Sequence, residues 1–159
     1  MKALVVYDSV FGNTEKVAHA MGDALGSQAE VQTLRVGEVK PEHLTGLDAL
    51  IVGSPTRGFS PTPAIKNWLK NLSSNSLKDV RVAAFDTRIA VEDVNSAILH
   101  FLVKIFGYAA KPIGDRLTKK GGNVSMPPEG FFVEGSEGPL RDGELERAKD
   151  WARQILPNA

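Results

Sequence analysis

Ser9, Asn13 and Thr14 put two hydroxyls and an amide into one short stretch, Ser9-Val10-Phe11-Gly12-Asn13-Thr14, between an apolar run and a helix-like pattern. Residues of these types at the start of a helix suit a phosphate. Backbone N–H groups converge there, the helix dipole adds partial positive charge, and the side chains supply donors without any Lys or Arg. Gly12 allows the backbone to approach a ligand closely. A plainer use of the same residues is a helix N-terminus capped by Asn13 or Thr14, and the loop alone leaves both readings open. The stretch contains neither the G-x-G-x-x-G dinucleotide fingerprint nor the G-x-x-x-x-G-K-[ST] loop of triphosphate sites.

Two further segments carry candidate binding groups. Gly53-Ser54-Pro55-Thr56-Arg57-Gly58-Phe59-Ser60-Pro61-Thr62-Pro63 is dense in glycine, proline and hydroxyl residues, which give a loop a fixed shape. Asp86-Thr87-Arg88 follows a later apolar run and offers backbone donors, a carboxylate and a guanidinium. Those two charges can also simply pair at the sheet edge. His19, His43 and His100 fall in different segments without metal-ligand spacing and read as surface or packing residues.

The elements that position these segments follow from periodicity. Ala3 to Tyr7, Asp48 to Gly53 and Val80 to Phe85 are short apolar runs of the kind buried on both faces of a parallel sheet. Glu30 to Val36 alternates like a strand exposed on one side. Helical spacing places Val17, Met21, Ala24 and Leu25 on one face of Thr14 to Leu25, with Gly26 as a stop. Thr62-Pro63 opens a second helix with Ile65, Trp68, Leu69 and Leu72 on its apolar face. Val91 to Phe106 reads as an extra amphipathic helix, and Tyr108 to Lys120 as another, ending at Gly121-Gly122. A last strand starts at Asn123 and is broken by Pro127-Pro128 before Phe131-Phe132-Val133, because proline cannot donate to a ladder. The final helix spans about Gly143 to Ile155. Alternating strands and helices predict an α/β fold, with ligands beyond the carboxyl ends of the strands.

The length of 159 residues suits one domain, and 42% hydrophobic residues suffice for a core. Apolar runs stop well short of the ~18 residues of a membrane span, and Met1-Lys2 leads directly into a strand pattern, so neither a membrane segment nor a leader is expected. Absence of cysteine removes disulfides and thiol catalysis, and a cytoplasmic location is expected. Nineteen basic and nineteen acidic residues cancel, which argues against nucleic acid as a partner.

Tyr7-Asp8-Ser9-Val10-Phe11-Gly12-Asn13-Thr14, followed by Val17-Ala18 and Met21, resembles the phosphate signature of the flavodoxin family, and the likeness spans essentially the whole chain. Phe11 departs from the threonine common there, and Met21 from the usual Leu, Ile or Val. A phospho-accepting receiver domain has a similar architecture but resembles this chain less, since Gly53-Ser54 stands where it needs an aspartate. The flavodoxin resemblance implies a three-layer, doubly wound, five-stranded parallel sheet in the order 2-1-3-4-5, with FMN at its carboxyl edge. It implies phosphate contacts from Ser9, Val10, Phe11, Gly12, Asn13 and Thr14. It also places Pro55, Thr56, Arg57, Gly58 and Phe59 beside the flavin ring. Gly58 is the candidate for turning a carbonyl toward flavin N5, and Phe59 either stacks on the ring or packs on its own loop. Asp86, Thr87 and Arg88 are implied at the pyrimidine and ribityl.

The expected role is a one-electron carrier between redox partner proteins. Pro55-Thr56-Arg57 also looks like the matching loop of flavodoxin-like NAD(P)H:quinone oxidoreductases. That resemblance and the neutral charge keep a quinone or flavin reductase, with NAD(P)H and a quinone as partners, as the alternative. A flavin-less interaction module on the same fold is the third reading, motivated by the unusual Asp86-Thr87-Arg88 segment. Residues 91–106 are a candidate wall of the site, a dimer face or a sheet cover.

Overall fold

Lys2–Tyr7 forms β1, whose residues after Lys2 are all buried, as its central place in the sheet demands. The computed structural model describes residues 1–90 and 96–157, apart from the side chains of Ile105 and Phe106. After β1 come α1 (Asn13–Leu25), β2 (Glu30–Arg35), two short 3-10 turns, β3 (Ala49–Pro55) and α2 (Pro63–Asn71). They are followed by β4 (Arg81–Ile89), α3 (Ala97–Phe106), α4 (Ala110–Lys119), β5 (Asn123–Val124), β6 (Glu129–Val133) and α5 (Glu144–Arg153). Among the described residues no helix is long and apolar enough to cross a membrane.

All strand pairings between these elements are parallel, and the order β2-β1-β3-β4-β5 is the one the resemblance implied. The fifth position is split. β5 pairs with Arg81 and Val82, β6 with Phe85 to Ile89, and the intervening chain contains Pro127 and Pro128, which have no N–H to offer β4. One apolar core lies between the sheet and α1 with α5, around Phe85, Phe131 and Trp151. The other lies under α2 and α4, around Leu4, Ile65, Ile113 and Leu117.

Several boundaries differ from the sequence reading. β2 ends at Arg35, because Val36 opens a 3-10 turn. β4 does not stop at Phe85 but runs to Ile89, so Asp86, Thr87 and Arg88 lie in a strand rather than a loop. Their backbone pairs with β3 on one side and β6 on the other, which outweighs the low strand preference of charged side chains. α4 starts at Ala110 rather than Tyr108, where its first N–H groups meet acceptors brought from far away in sequence. Ala109 N donates to Thr56 Oγ1 at 3.1 Å and Ala110 N to Asp86 Oδ2 at 2.8 Å. Thr62 precedes α2 as expected, but its hydroxyl makes no capping bond. Of the helix expected over 91–106, residues 91–95 lie outside the described residues and Ala97–Phe106 is helical, capped by Ser96 Oγ on Leu99 N at 3.2 Å.

Candidate functional site

At the carboxyl edge of the sheet, Ser9, Val10, Phe11, Asn13 and Thr14 face Pro55, Thr56, Arg57 and Gly58 across a cavity of about 370 Å³. Thr87, Arg88 and Ile89 of β4 form its floor, and Val133 and Ser136 close the far side.

The start of α1 is built to remain open. Gly12 precedes the helix with φ 94°, a left-handed conformation that costs a residue with Cβ about 1–2 kcal/mol. The N-cap position itself, being glycine, offers no side chain to cap the helix. Asn13 does not cap it, since its Nδ2 donates to Glu137 O at 3.1 Å, and Thr14 Oγ1 is joined to Thr87 Oγ1 at 2.8 Å. Ser9 Oγ accepts from Gly12 N at 3.1 Å and from Glu15 N at 3.4 Å, which leaves its hydroxyl hydrogen available. The N–H groups of Val10, Phe11, Asn13 and Thr14 have no hydrogen-bond partner among the described residues. Four open donors at a helix N-terminus favour an anion. Among the described residues no carboxylate lines the cavity, whereas Arg57 and Arg88 do. This donor set fits a phosphate group, and Val10, Phe11, Ile89 and Val133 add apolar wall.

A charged cluster outside the cavity holds the loop. Arg35 Nη1, at the end of β2, donates to Ser9 O at 3.0 Å and to Asp8 Oδ1 at 3.3 Å. Its Nη2 reaches Glu15 Oε2 at 3.2 Å, which also accepts from Tyr7 Oη at 2.7 Å. Burial first, and then the bond to Glu15, push the Tyr7 phenol up to about 12. The same bond, reinforced by Arg35, holds the Glu15 carboxyl below its usual range.

On the opposite wall, Arg57 N donates to Ser60 O at 2.8 Å and Ser60 N to Arg57 O at 3.1 Å, closing a two-residue turn. Both central residues have positive φ, 53° at Gly58 and 66° at Phe59, as a type I′ turn requires. For a bulky residue such as Phe59 this is a strained conformation, costing on the order of 1–3 kcal/mol.

Asp86 lines neither this cavity nor its neighbour. Its side chain is fully buried and accepts from Arg88 Nε at 2.6 Å, Arg88 Nη2 at 2.7 Å and Ala110 N. Burial pushes its carboxyl up, against the pull of Arg88 and of the helix terminus. The Arg88 guanidinium also lies 3.7 Å from the Tyr108 ring centroid, and a Cβ at Gly130 would collide with it. The pair is thus an internal ion pair rather than a surface one.

Of the expected residues, Ser9, Val10, Phe11, Asn13, Thr14, Pro55, Thr56, Arg57, Gly58, Thr87 and Arg88 line the cavity. Gly12 shapes the loop without lining it, and Phe59 faces an adjoining cavity. Ile89, Val133, Ser136 and Arg35 were missed. Ser136 sits in Gly135-Ser136-Glu137-Gly138-Pro139, a turn-rich stretch after the last strand that marked a further edge loop. Arg35 carries no local signal. Among the described residues no group of metal-ligating side chains occurs.

A family profile described as Flavodoxin domain matches residues 4–109. Among solved structures, a flavodoxin from the domain Archaea is 25% identical with a TM-score of 0.76, covering 98% of this chain and 96% of its own. Oxidised Flavodoxin 1 from Bacillus cereus superposes with a TM-score of 0.75 at 15% identity, over 98% of this chain and 97% of its own. The rubredoxin oxygen:oxidoreductase of Desulfovibrio gigas shares the fold with a TM-score of 0.73 at 20% identity. That match covers 97% of this chain and 35% of the larger protein.

Proposed function

Because this chain belongs to the flavodoxin family, whose members bind FMN, we propose that it is an electron carrier that holds FMN in the larger cavity and serves redox partner proteins. The observation that carries this reading is the set of four open N–H groups, Val10 and Phe11 in the loop before α1 and Asn13 and Thr14 in its first turn. Val10, Phe11, Asn13 and Thr14 donate backbone N–H groups to the phosphate, and the hydroxyls of Ser9 and Thr14 complete the set. Thr87 orients the Thr14 hydroxyl through their mutual bond. Pro55 to Gly58 form one edge of the ring site, and Thr87, Arg88 and Ile89 the other. Bound FMN supplies the redox chemistry. Asp86 neutralises much of the Arg88 charge, and Arg57 brings a second guanidinium to the ring site. We read the chain as a single domain working in the cytoplasm.

A second reading, an NAD(P)H-dependent quinone or flavin reductase, is favoured by one observation: a mainly apolar cavity adjoins the flavin site and shares Thr56, Gly58, Arg88 and Ile89 with it. Steady-state NAD(P)H consumption with a quinone separates the two, since a carrier turns over almost none.

Titration of the flavin-free protein with FMN tests the site. Saturable, tight binding is expected. Ser9→Ala and Thr14→Ala each remove a hydrogen bond to a charged group, worth about 1.5–3 kcal/mol, so each weakens FMN by about tenfold or more. Unchanged affinity in both variants overturns the phosphate assignment.

A further inference from the structure

The layer formed by α2 and α4 is the basic side of a neutral molecule. Both helices pack on the face of the sheet that presents Leu4, Val52 and Val82. From Pro63 to Asn71 and from Ala110 to Lys120 the chain carries Lys66, Lys70, Lys111, Arg116, Lys119 and Lys120 against one carboxylate, Asp115. That carboxylate is already tied to Lys111 at 3.1 Å. Because basic and acidic residues cancel over the whole chain, the remainder carries the balancing negative charge. On the opposite face, acidic and basic residues are nearly matched along α1 and α5.

A groove runs between the two helices. Buried Leu69 and Ile113 form its floor, and the exposed Lys66, Lys70 and Arg116 line it. Among the described residues no carboxylate lines the groove, and none of the three cations has an ion-pair partner. Like charges gathered around an apolar floor repel one another, and an acidic partner relieves that repulsion. The groove ends at Ser60, which closes the turn with Arg57 by two backbone hydrogen bonds, and Pro55 to Gly58 wall the cavity assigned to FMN. Thr56 in the same wall also anchors the start of α4, through Ala109 N at 3.1 Å. With a rise of about 1.5 Å per residue, Lys66, Lys70 and Arg116 lie roughly 5–10 Å along their helices from this edge.

We infer that this groove docks an acidic redox protein, whose surface carboxylates pair with Lys66, Lys70 and Arg116 and whose redox centre is held beside the Pro55 to Gly58 edge of the flavin site. The inference deepens the proposed carrier role and rests on it for the redox nature of the partner. An apolar floor inside a charged rim is the arrangement of a protein–protein contact. A small anion finds no buried polar side chain among the described lining residues to hold it. An extended polyanion such as nucleic acid reaches past the groove to the negatively charged remainder of the chain, which repels it. Charge complementarity speeds encounter and fixes orientation more than it adds affinity, which suits a carrier that must bind and release.

The test is calorimetric titration of the FMN-saturated protein with oxidised plant-type ferredoxin, a small acidic iron–sulfur protein. At an ionic strength of about 10 mM, where charges act over about 30 Å, saturable binding is expected, and it weakens steeply toward about 0.15 M. Lys66→Glu and Arg116→Glu should each weaken it by about fivefold or more. Lys149→Glu, on α5 across the sheet, changes the net charge equally and should leave it at the parental value. FMN affinity and thermal midpoint stay parental in all three variants and serve as the check on folding. Absence of saturable binding, parental affinity in both groove variants, or an equal loss in Lys149→Glu each overturns the inference. So does tighter binding of a DNA duplex or of phosphatidylserine vesicles that is lost in the same two variants, because the groove then serves another class of polyanion. Failure to bind FMN sinks the carrier reading alone, and ferredoxin titration of the flavin-free protein still decides the groove. Saturable binding lost in the two groove variants upholds it, and no binding overturns it.

Discussion

Arg35 and Glu144 show how single side chains act at a distance from the cavity. Arg35 clamps Ser9 O, Asp8 and Glu15 from the neighbouring strand, so it sets the loop's shape without lining the site. It is partly exposed, and such ion pairs add only about 0–1 kcal/mol. Arg35→Ala should therefore barely move the thermal midpoint while weakening FMN several-fold, measured by titration. Glu144 is buried and accepts from Phe132 N at 2.7 Å and from Arg147. Burial pushes its carboxyl up, but the bonds from Arg147 and Phe132 outweigh this and hold it below its ordinary value. A depressed carboxylate adds stability above its unfolded value, about 4.3, and loses it as pH falls through the folded value. Glu144→Gln should thus cost about 1–3 kcal/mol at pH 7 in denaturant melts, and the gap to the parent should close as the pH falls below about 4.

At the scale of elements, the junction of β4 with α4 does what a local cap does elsewhere. Asp86 supplies negative charge to the N-terminus of α4, where the helix dipole favours it, and anchors Arg88 beside the cavity. Removing one partner of a buried pair leaves the other charge unsatisfied. Asp86→Ala is expected to destabilise the protein by about 3–5 kcal/mol in denaturant melts, with loss of FMN affinity as Arg88 is released. A change below 1 kcal/mol would show that water replaces the carboxylate easily. The split of the fifth strand has a related consequence. It lets β6 reach Ile89 and carries the following loop, closed by Glu134 N on Pro139 O at 2.8 Å, to the mouth of the site.

For the whole molecule, stability and site geometry share one core. Phe85, Phe131 and Trp151 meet edge to face, with centroids 6.0–6.4 Å apart, binding β4 and β6 to α5 beneath the functional edge. Phe85 is fully buried and adjoins Asp86 in the chain. Phe85→Ala should cost about 3–5 kcal/mol in thermal or denaturant unfolding. Because β4 positions Thr87 and Arg88, FMN affinity should fall in the same variant even where it remains folded.

The sequence by itself determined the strand and helix alternation, the parallel order reached through family resemblance, the break at Pro127-Pro128 and the loop from Ser9 to Thr14. These are legible because they are written in neighbours: buried strands are apolar runs, helices repeat every three to four residues, and a turn takes its shape from its own glycine and hydroxyls. Only the tertiary structure decided that Asn13 turns to Glu137, 124 residues away, instead of capping its helix. Likewise it decided that Asp86 is buried under α4, that Arg35 clamps the loop, and that Ser136 joins the site. Each depends on which polar group finds its partner when distant segments pack, and that choice is settled by three-dimensional proximity and burial rather than by spacing along the chain.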